Sequence, residues 1–316
     1  MRRWCTNPSI PSTPEPCLRT RFAPAPTGYL HLGHLVNAIH VWGIARARGG
    51  RIVLRIEDHD RGRSRTEYER ALLDDLDWLG FAPDELPTDE FRRGRTTLRQ
   101  SDNGPRYDAA LAQLAASGLQ LYGCDCSRRT MDREGGDRPD QETRYAGRCR
   151  ERGRAPGPGV GLRLQIEPGE ESFTDLILGP QRQDPAHQCG DLLLRDRLGN
   201  WTYQFAVVVD DIAQGITHVI RGEDLLASTG RQVLLARLLG RTTPPLFAHH
   251  RLIRHPSGEK LSKANRDTSI RDLRAAGHSA AELIGRAAAM GGLIRTPRMM
   301  GLDEIAALFS GPLPFE

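Results

Sequence analysis

The chain has 316 residues, with 44 Lys or Arg against 40 Asp or Glu, a formal net charge of +4, and 38% hydrophobic residues. That size permits a sizeable core and two domains, or one domain with a large insertion, and the mild charge allows an anionic partner without demanding one. No stretch approaches the ~20 apolar residues of a membrane span, so a helical membrane protein is excluded and the cytoplasm is the expected compartment.

Residues 1–20 hold four prolines and no apolar core. They read as a flexible tail and not as a signal peptide. Residues 21–23 can open a short strand, broken at Pro24 and Pro26. Residues 31–48 show helical apolar spacing and stop at Gly49-Gly50. "RIVLRI", 51–56, predicts a buried strand ending at Glu57-Asp58. Ser64 and Glu67 form a capping-box pattern for a helix to Leu79, closed by Gly80. Strand, helix, strand, helix begins an α/β fold with a parallel sheet.

Beyond Phe81 the pattern loosens. Residues 106–117 predict a helix, 127–160 loops, and 162–166 and 191–195 short strands. From Trp201 the α/β rhythm returns: "ITHVIRGED" predicts a strand running into a loop, and 225–239 a helix. Two or three short helices close the chain. The expected organisation is a tail (1–20), a first catalytic half (21–90), an inserted domain (91–200), a second catalytic half (201–265) and a short helical segment (266–316).

"PAPTGYLHLGH", 24–34, follows a strand and opens a helix. A helix N-terminus offers free N–H groups and a positive dipole end, which suit phosphate. His31 and His34 lie on the same side of the first turn, each able to donate to a phosphate oxygen. Gly33 leaves room for a flat base to approach the backbone. Only two of the basic residues are Lys, and both stand in "GEKLSKAN" as Lys260 and Lys263. A compact ammonium on a flexible stem can follow a moving phosphate where a planar fork cannot. The two regions together can grip one triphosphate from opposite sides, and the ammonium groups can stabilise charge on departing pyrophosphate.

The six cysteines are Cys5, Cys17, Cys124, Cys126, Cys149 and Cys189. Two lie in the tail and three cluster in sequence, which suggests a reduced compartment and a metal site, not a disulfide framework. Three thiolates suit zinc, which normally takes four ligands. Tyr145, Asp125 and water are the alternatives for the fourth.

These motifs carry a family resemblance. His31-Leu-Gly-His34 resembles the HIGH motif of class I aminoacyl-tRNA synthetases, and Lys260-Leu-Ser-Lys-Ala264 their KMSKS loop. "RFAPAPTGYLHLGH", "RIEDHD", "YQFAVVVDD" and "GITHVIRGEDLLASTGRQ" are similar to the glutamyl branch, over about residues 21–265. The resemblance implies a Rossmann-like catalytic domain, with an inserted acceptor-type domain that bears zinc. It implies His31, His34, Lys260 and Lys263 as catalytic residues, and His31, Gly33, His34 and Lys263 as ATP-binding residues. It also implies a glutamate pocket of Arg21, Ala23, Ala25, Glu57, Tyr203 and Arg221. Arg21 and Arg221 suit carboxylates, Glu57 suits an ammonium, and Tyr203 adds a hydroxyl. Relatives usually carry Ser where this chain has Ala25, so one hydroxyl contact is missing. In the subfamily resembled, a Tyr completes a Cys-x-Cys…Tyr-x-x-x-Cys zinc site, which implies Cys124, Cys126, Tyr145 and Cys149.

Only 53 residues follow Lys263, enough for a few helices and not for a large anticodon-binding domain. That length and the Cys-x-Cys cluster resemble the glutamyl-Q tRNA(Asp) synthetase family. The implied function is activation of L-glutamate with ATP and Mg2+, then transfer to queuosine at the wobble position of tRNA(Asp). The implied partner is the anticodon stem-loop, and the expected state is a monomer. The alternatives are a minimal glutamyl-tRNA synthetase charging the acceptor end, another HxGH nucleotidyltransferase, and a catalytically inactive RNA-binding module.

Overall fold

The computed structural model describes residues 17–127, 130, 144–155, 157–253 and 268–316. Strand β1 (Arg19–Phe22) leads through the loop of Ala23 to Leu30 into helix α1 (Leu32–Ala47), and β2 (Arg51–Leu54) returns parallel to β1. Helices α2 (Thr66–Leu79), α3 (Thr88–Arg93) and α4 (Gly104–Ala116) follow. Next come β3 (Leu121–Cys124), β4 (Gly161–Leu164), β5 (Glu171–Asp175), β6 (Gly179–Gln183), α5 (Pro185–Gln188) and β7 (Leu192–Arg195). Helix α6 (Tyr203–Ala213), β8 (His218–Gly222), α7 (Thr229–Leu238) and β9 (Leu246–His250) complete the second α/β half. Three short helices, α8 (Ile270–Ala275), α9 (Ala280–Met290) and α10 (Leu302–Ala307), end the chain.

The strands sort into layers by direction. β8 pairs in parallel with β9, β9 in parallel with β5, and β6 adds an antiparallel edge. Thr217, just before β8, donates its N–H to the Arg19 carbonyl at 2.9 Å, so β1 and β2 lie beside this sheet. The result is a mixed α/β sheet with a parallel centre. A separate antiparallel sheet, β3-β4-β7, belongs to the middle of the chain.

Helix α1 is apolar nearly all round, as a helix must be when both faces are covered. Residues from Leu35 to Ala45 are almost all buried, against the sheet on one side and α9 and α10 on the other. Each buried Ile, Leu or Val here contributes roughly 1.5–3 kcal/mol. Gly43 permits the close approach: a Cβ there would stand 2.3 Å from the Phe309 ring. Helix α2 ends at Gly80, whose φ of 81° is the left-handed cap expected from the sequence.

The expected capping box at Ser64 and Glu67 does not form. The N-cap of α2 is Arg65, with no side-chain cap bond, and the buried Ser64 hydroxyl has no partner. The Asp60 side chain instead accepts from the N–H groups of Gly62 and Arg63, so the turn before the helix is organised one step earlier. A second apolar cluster joins α4, β4 and β7 to α6 and α7. At its edge the fully buried Asp210 accepts from Gln100, Asn103, Arg106 and Tyr107, tying the segment around α4 to α6. Among the described residues no helix is long and apolar enough to cross a membrane.

Candidate active site

In a doubly wound sheet the crevice opens at the C-terminal ends of the strands, where chain direction diverges. Here a cavity of about 720 Å3 sits at the ends of β1, β8 and β9. It is lined by Arg21, Ala23, Ala25, His31, Gly33, His34, Glu57, Tyr203 and Arg221. Every described residue that the sequence nominated for glutamate or nucleotide binding therefore meets in one cavity. Lys260 and Lys263 lie outside the described residues. The residues that flank segment 254–267 stand at this site: Ile253 lines the cavity, and Ser269 forms a backbone bridge with His31.

At the start of α1 the two histidines cap their own helix. His31 is the N-cap, and its Nδ1 accepts from the Gly33 N–H at 3.1 Å. The His31 N–H in turn donates to Nδ1 of His34 at 3.2 Å. Both Nδ1 atoms are acceptors, so each neutral ring carries its proton on Nε2. The pair thus satisfies orphan helix N–H groups with one nitrogen and keeps a donor on the other. Gly33 serves this cap directly. A Cβ there would stand 2.9 Å from Cε1 of His31 and 3.0 Å from its Nδ1.

The floor of the cavity is a buried ion cluster that pattern reading missed. Asp211, at the end of α6, accepts from Arg21 Nε at 3.1 Å and from Arg55 at 2.6 Å. Arg55 also donates to Glu57 at 2.9 Å and to Gln214 at 3.1 Å. Burial opposes the charge on the fully enclosed Arg55, but Asp211, then Glu57 and Asp210, outweigh it and push its pKa up. The same logic holds Asp211 below its usual range: burial works against ionisation, and Arg21 and Arg55 overcome it. Three guanidinium groups, Arg21, Arg55 and Arg221, thus face two carboxylates, Asp211 and Glu57. A sequence signal existed: an Arg inside an apolar strand and an Asp pair ending the apolar run "QFAVVVDD".

Arg221 is held differently. Its Nε donates to Nε2 of His249 at 3.0 Å, and its two terminal nitrogens to Gln232 at 2.7 Å and Thr229 at 2.8 Å. His249 in turn bonds through Nδ1 to the fully buried Asp175. Because His249 accepts from Arg221 it is neutral, and burial favours that form by lowering its pKa. Among the described residues no carboxylate is ion-paired with Arg221. Its guanidinium is aimed by neutral groups and its charge is left for something else.

Cys124, Cys126 and Cys149 gather their sulfur atoms within 4.8 Å of one another. Tetrahedral zinc with Zn–S of ~2.3 Å needs sulfur separations of ~3.8 Å, so small adjustments reach that geometry. The Tyr145 hydroxyl lies 3.6 Å from Cys124 Sγ and accepts from the Cys149 N–H at 2.8 Å. Asp125 Oδ1 lies 3.5 Å from Cys149 Sγ. Both side-chain candidates for the fourth ligand, Tyr145 and Asp125, are therefore near the sulfur atoms. Burial and the neighbouring thiols push the Cys126 thiol up to about 12, the crowding that a cation would relieve. The donor set fits zinc.

A second cavity of about 680 Å3 adjoins the loop of Pro26 and Asp58. Arg61, Arg65, Arg70, Arg92, Arg95 and Arg99 line it against Asp58, Glu69 and Asp74. Arg92 and Arg99 are engaged by acidic side chains. Arg61 and Arg70 are exposed and have no ion-pair partner among the described residues.

Residues 17–296 match the family of class I tRNA synthetases (E and Q), catalytic domain. The chain is 40% identical to the glutamyl-Q tRNA(Asp) synthetase of Symbiobacterium thermophilum over 92% of this chain and 91% of that protein. It is 43% identical to the glutamyl-Q tRNA(Asp) synthetase of Geobacter sulfurreducens over 83% and 80%. Among solved structures it is similar to the glutamate-tRNA synthetase of Elizabethkingia anophelis, with a TM-score of 0.74 and 26% identity, covering 95% of this chain and 68% of that one.

Proposed function

Because the chain belongs to the class I tRNA synthetases (E and Q) and, within them, to the glutamyl-Q tRNA(Asp) synthetase family of aminoacyl-tRNA-synthetase-like ligases, we propose that it activates L-glutamate with ATP and transfers it to the queuosine base at the wobble position of tRNA(Asp). The observation that carries this reading is the similarity to glutamyl-Q tRNA(Asp) synthetases over most of both chains, joined to a single cavity holding all the described candidate residues.

The chemistry of the cavity supports glutamate. Arg21, Arg55 and Arg221 stand near Glu57 and Asp211 here, and glutamate brings two carboxylates and one ammonium. Arg221, aimed by neutral partners, suits one carboxylate bidentately, and Arg21 suits the other. Glu57 suits the ammonium, and Tyr203 supplies a hydroxyl. Ala23 and Ala25 offer only backbone groups and small side chains. ATP, entering with Mg2+, would set its phosphates at the start of α1, with Nε2–H of His31 and His34 as donors and the helix N-terminus as a partial positive charge.

In the first step the glutamate carboxylate attacks the α-phosphorus and pyrophosphate leaves, with Lys260 and Lys263 assigned to the charge that develops there. In the second step a hydroxyl of the queuosine cyclopentenediol attacks the activated carbonyl and AMP leaves. Zinc held by Cys124, Cys126, Cys149 and either Tyr145 or Asp125 would pin the loop-rich middle segment, a structural role. Of residues 91–200, expected as an inserted domain between the catalytic halves 21–90 and 201–265, the part that carries β3, β4 and β7 would act as the insertion, since β5 and β6 join the sheet of β8 and β9. The arginine-lined cleft beside the cavity suits the phosphate backbone of an anticodon stem-loop, read through backbone charge and unpaired bases.

The similarity to a glutamate-tRNA synthetase structure favours a second reading, a minimal glutamyl-tRNA synthetase charging the acceptor end. Labelled glutamate, ATP and purified tRNAs separate the two. Incorporation into tRNA(Asp) that requires queuosine supports the first. Label on tRNA(Glu) with no dependence on queuosine would remove it in favour of the second.

A further inference from the structure

The cavity holds four imidazoles, and their hydrogen bonds set them to different tasks. His31 and His34 accept through Nδ1, which puts their protons on Nε2 and makes them donors toward the cavity. His250 has both ring nitrogens engaged, one by the Arg251 carbonyl and one by the Asn37 side chain. His59 differs from all three. Its Nδ1 lies 2.7 Å from Oε1 of Gln100, and Nε2 has no partner among the described residues.

The tautomer of His59 follows from a chain of three groups. Asp210 receives hydrogen bonds from Arg106 and Tyr107, so it is a pure acceptor. Gln100 must therefore present its NH2 to Asp210, at 3.1 Å. Its carbonyl oxygen is then the atom facing His59, so His59 Nδ1 is the donor. The ring proton sits on Nδ1, and Nε2 carries a lone pair. Gln100 is itself fixed by its backbone, since its N–H donates to the Ile56 carbonyl at 3.0 Å. A carboxylate that orients an amide that orients an imidazole has the logic of a general base held in one tautomer.

We propose that His59 is the general base of the glutamyl-transfer step, a role that rests on the reading of the cavity as a glutamyl-adenylate site. His59 follows Glu57 and Asp58 directly, and its ring centroid is 6.0 Å from that of Tyr203. Like Glu57 and Tyr203, it lines the cavity in which the glutamate is placed. Glu57 is already bonded to Arg55, and Tyr203 holds its proton because burial, and then Glu57, raise its pKa. In the step itself, a hydroxyl oxygen of the acceptor nucleoside bonds to the carbonyl carbon of glutamyl-adenylate while its proton passes to His59 Nε2. The carbonyl carbon–oxygen bond of the mixed anhydride breaks, and AMP leaves with the electron pair. His59 ends as imidazolium with Nδ1–H still on Gln100, and returns its proton to water. No redox partner is needed.

The test is His59→Asn. The Asn amide N–H stands where Nδ1–H stood, so the bond to Gln100 survives, but nothing replaces Nε2. Enzyme preloaded with labelled glutamate and ATP is mixed with tRNA, and single-turnover transfer is measured alongside glutamate-dependent exchange of pyrophosphate into ATP. The ratio of transfer to exchange should fall ~10²–10⁴-fold, the range for loss of a general base. Added imidazole should restore part of the transfer in His59→Ala. A ratio in H59N within about threefold of the parent protein's would overturn the proposal, because a residue that merely braces residues 98–101 loses nothing in that variant. Exchange in the same sample reports folding. The parent chain's preference between queuosine-containing tRNA(Asp) and tRNA(Glu) judges the substrate separately, and the ratio is then read on whichever tRNA it labels.

Discussion

Arg221→Lys removes a fork and keeps a charge. The guanidinium now meets three acceptors at once, His249, Gln232 and Thr229, all at 2.7–3.0 Å. One ammonium on a flexible stem cannot reach all three and also face a substrate carboxylate. At least one buried acceptor loses its bond, at roughly 1 kcal/mol each, and the bidentate charged contact to glutamate becomes a single one, at about 1–2 kcal/mol. The first loss is shared by the free and the glutamate-bound protein and lowers stability; only the second, about 1–2 kcal/mol, reaches affinity, roughly 5–30-fold at about 1.4 kcal/mol per decade. Glutamate-dependent pyrophosphate exchange should show KM for glutamate rising by that factor, with kcat falling less and KM for ATP little changed. A KM for glutamate within threefold of the parent value would refute the assignment of Arg221 to a carboxylate. A rise confined to KM for ATP would refute the division of the cavity between α1 and β8.

Three further outcomes follow from other parts of the molecule. Gly33→Ala should expel the His31 ring from its cap, costing about 1 kcal/mol of stability and at least tenfold in adenylate formation; equal exchange rates would show that the ring position is immaterial. Burial, then the neighbouring His250, lower the His40 pKa to about 3, although its bond to the Val36 carbonyl works the other way. The unfolded chain therefore binds the proton first, so this contribution is full above pH 6.5 and is lost as pH falls toward 3, on the order of a few kcal/mol. Urea denaturation at pH 7 and 4.5 should show a smaller decline in His40→Gln than in the parent; an equal decline would refute the assignment. The purified protein should hold about one zinc per chain by elemental analysis, and Cys126→Ser or a strong chelator should remove it and lower Tm, whereas retained metal in that variant would exclude Cys126 as a ligand.

Local periodicity and local caps were legible in the chain. Helices α1 and α2, the Gly80 cap, β2 and the three closing helices all depend on spacing within a few residues. Strands β3, β5, β6 and β9 were not legible. Each is four or five residues long; β5 and β6 pair as a hairpin, but their place in the sheet comes from β9, whose residues lie more than 70 positions beyond those of β5. Such segments are strands because of what they pair with, not because of what they contain. The capping box at Ser64 misled for a related reason: its residue types are local, but the Ser64 N–H that Glu67 would accept donates to the Asp60 carbonyl at 3.0 Å.

The site divides along the same line. The described motif residues line one cavity together, because a helix N-terminus and a strand end project their side chains by rules that hold within one turn or one strand. The surroundings that give those residues their chemistry were decided only by the tertiary structure. Arg55 meets Asp211 across 156 positions, Arg221 is aimed by His249 across 28, and Gln100 joins His59 to Asp210. Burial makes each of those partners compulsory, since a charge or a donor removed from water must be answered nearby. Sequence alone therefore determined which residue types line the site, while packing determined which are neutral, which are charged and which nitrogen carries the proton.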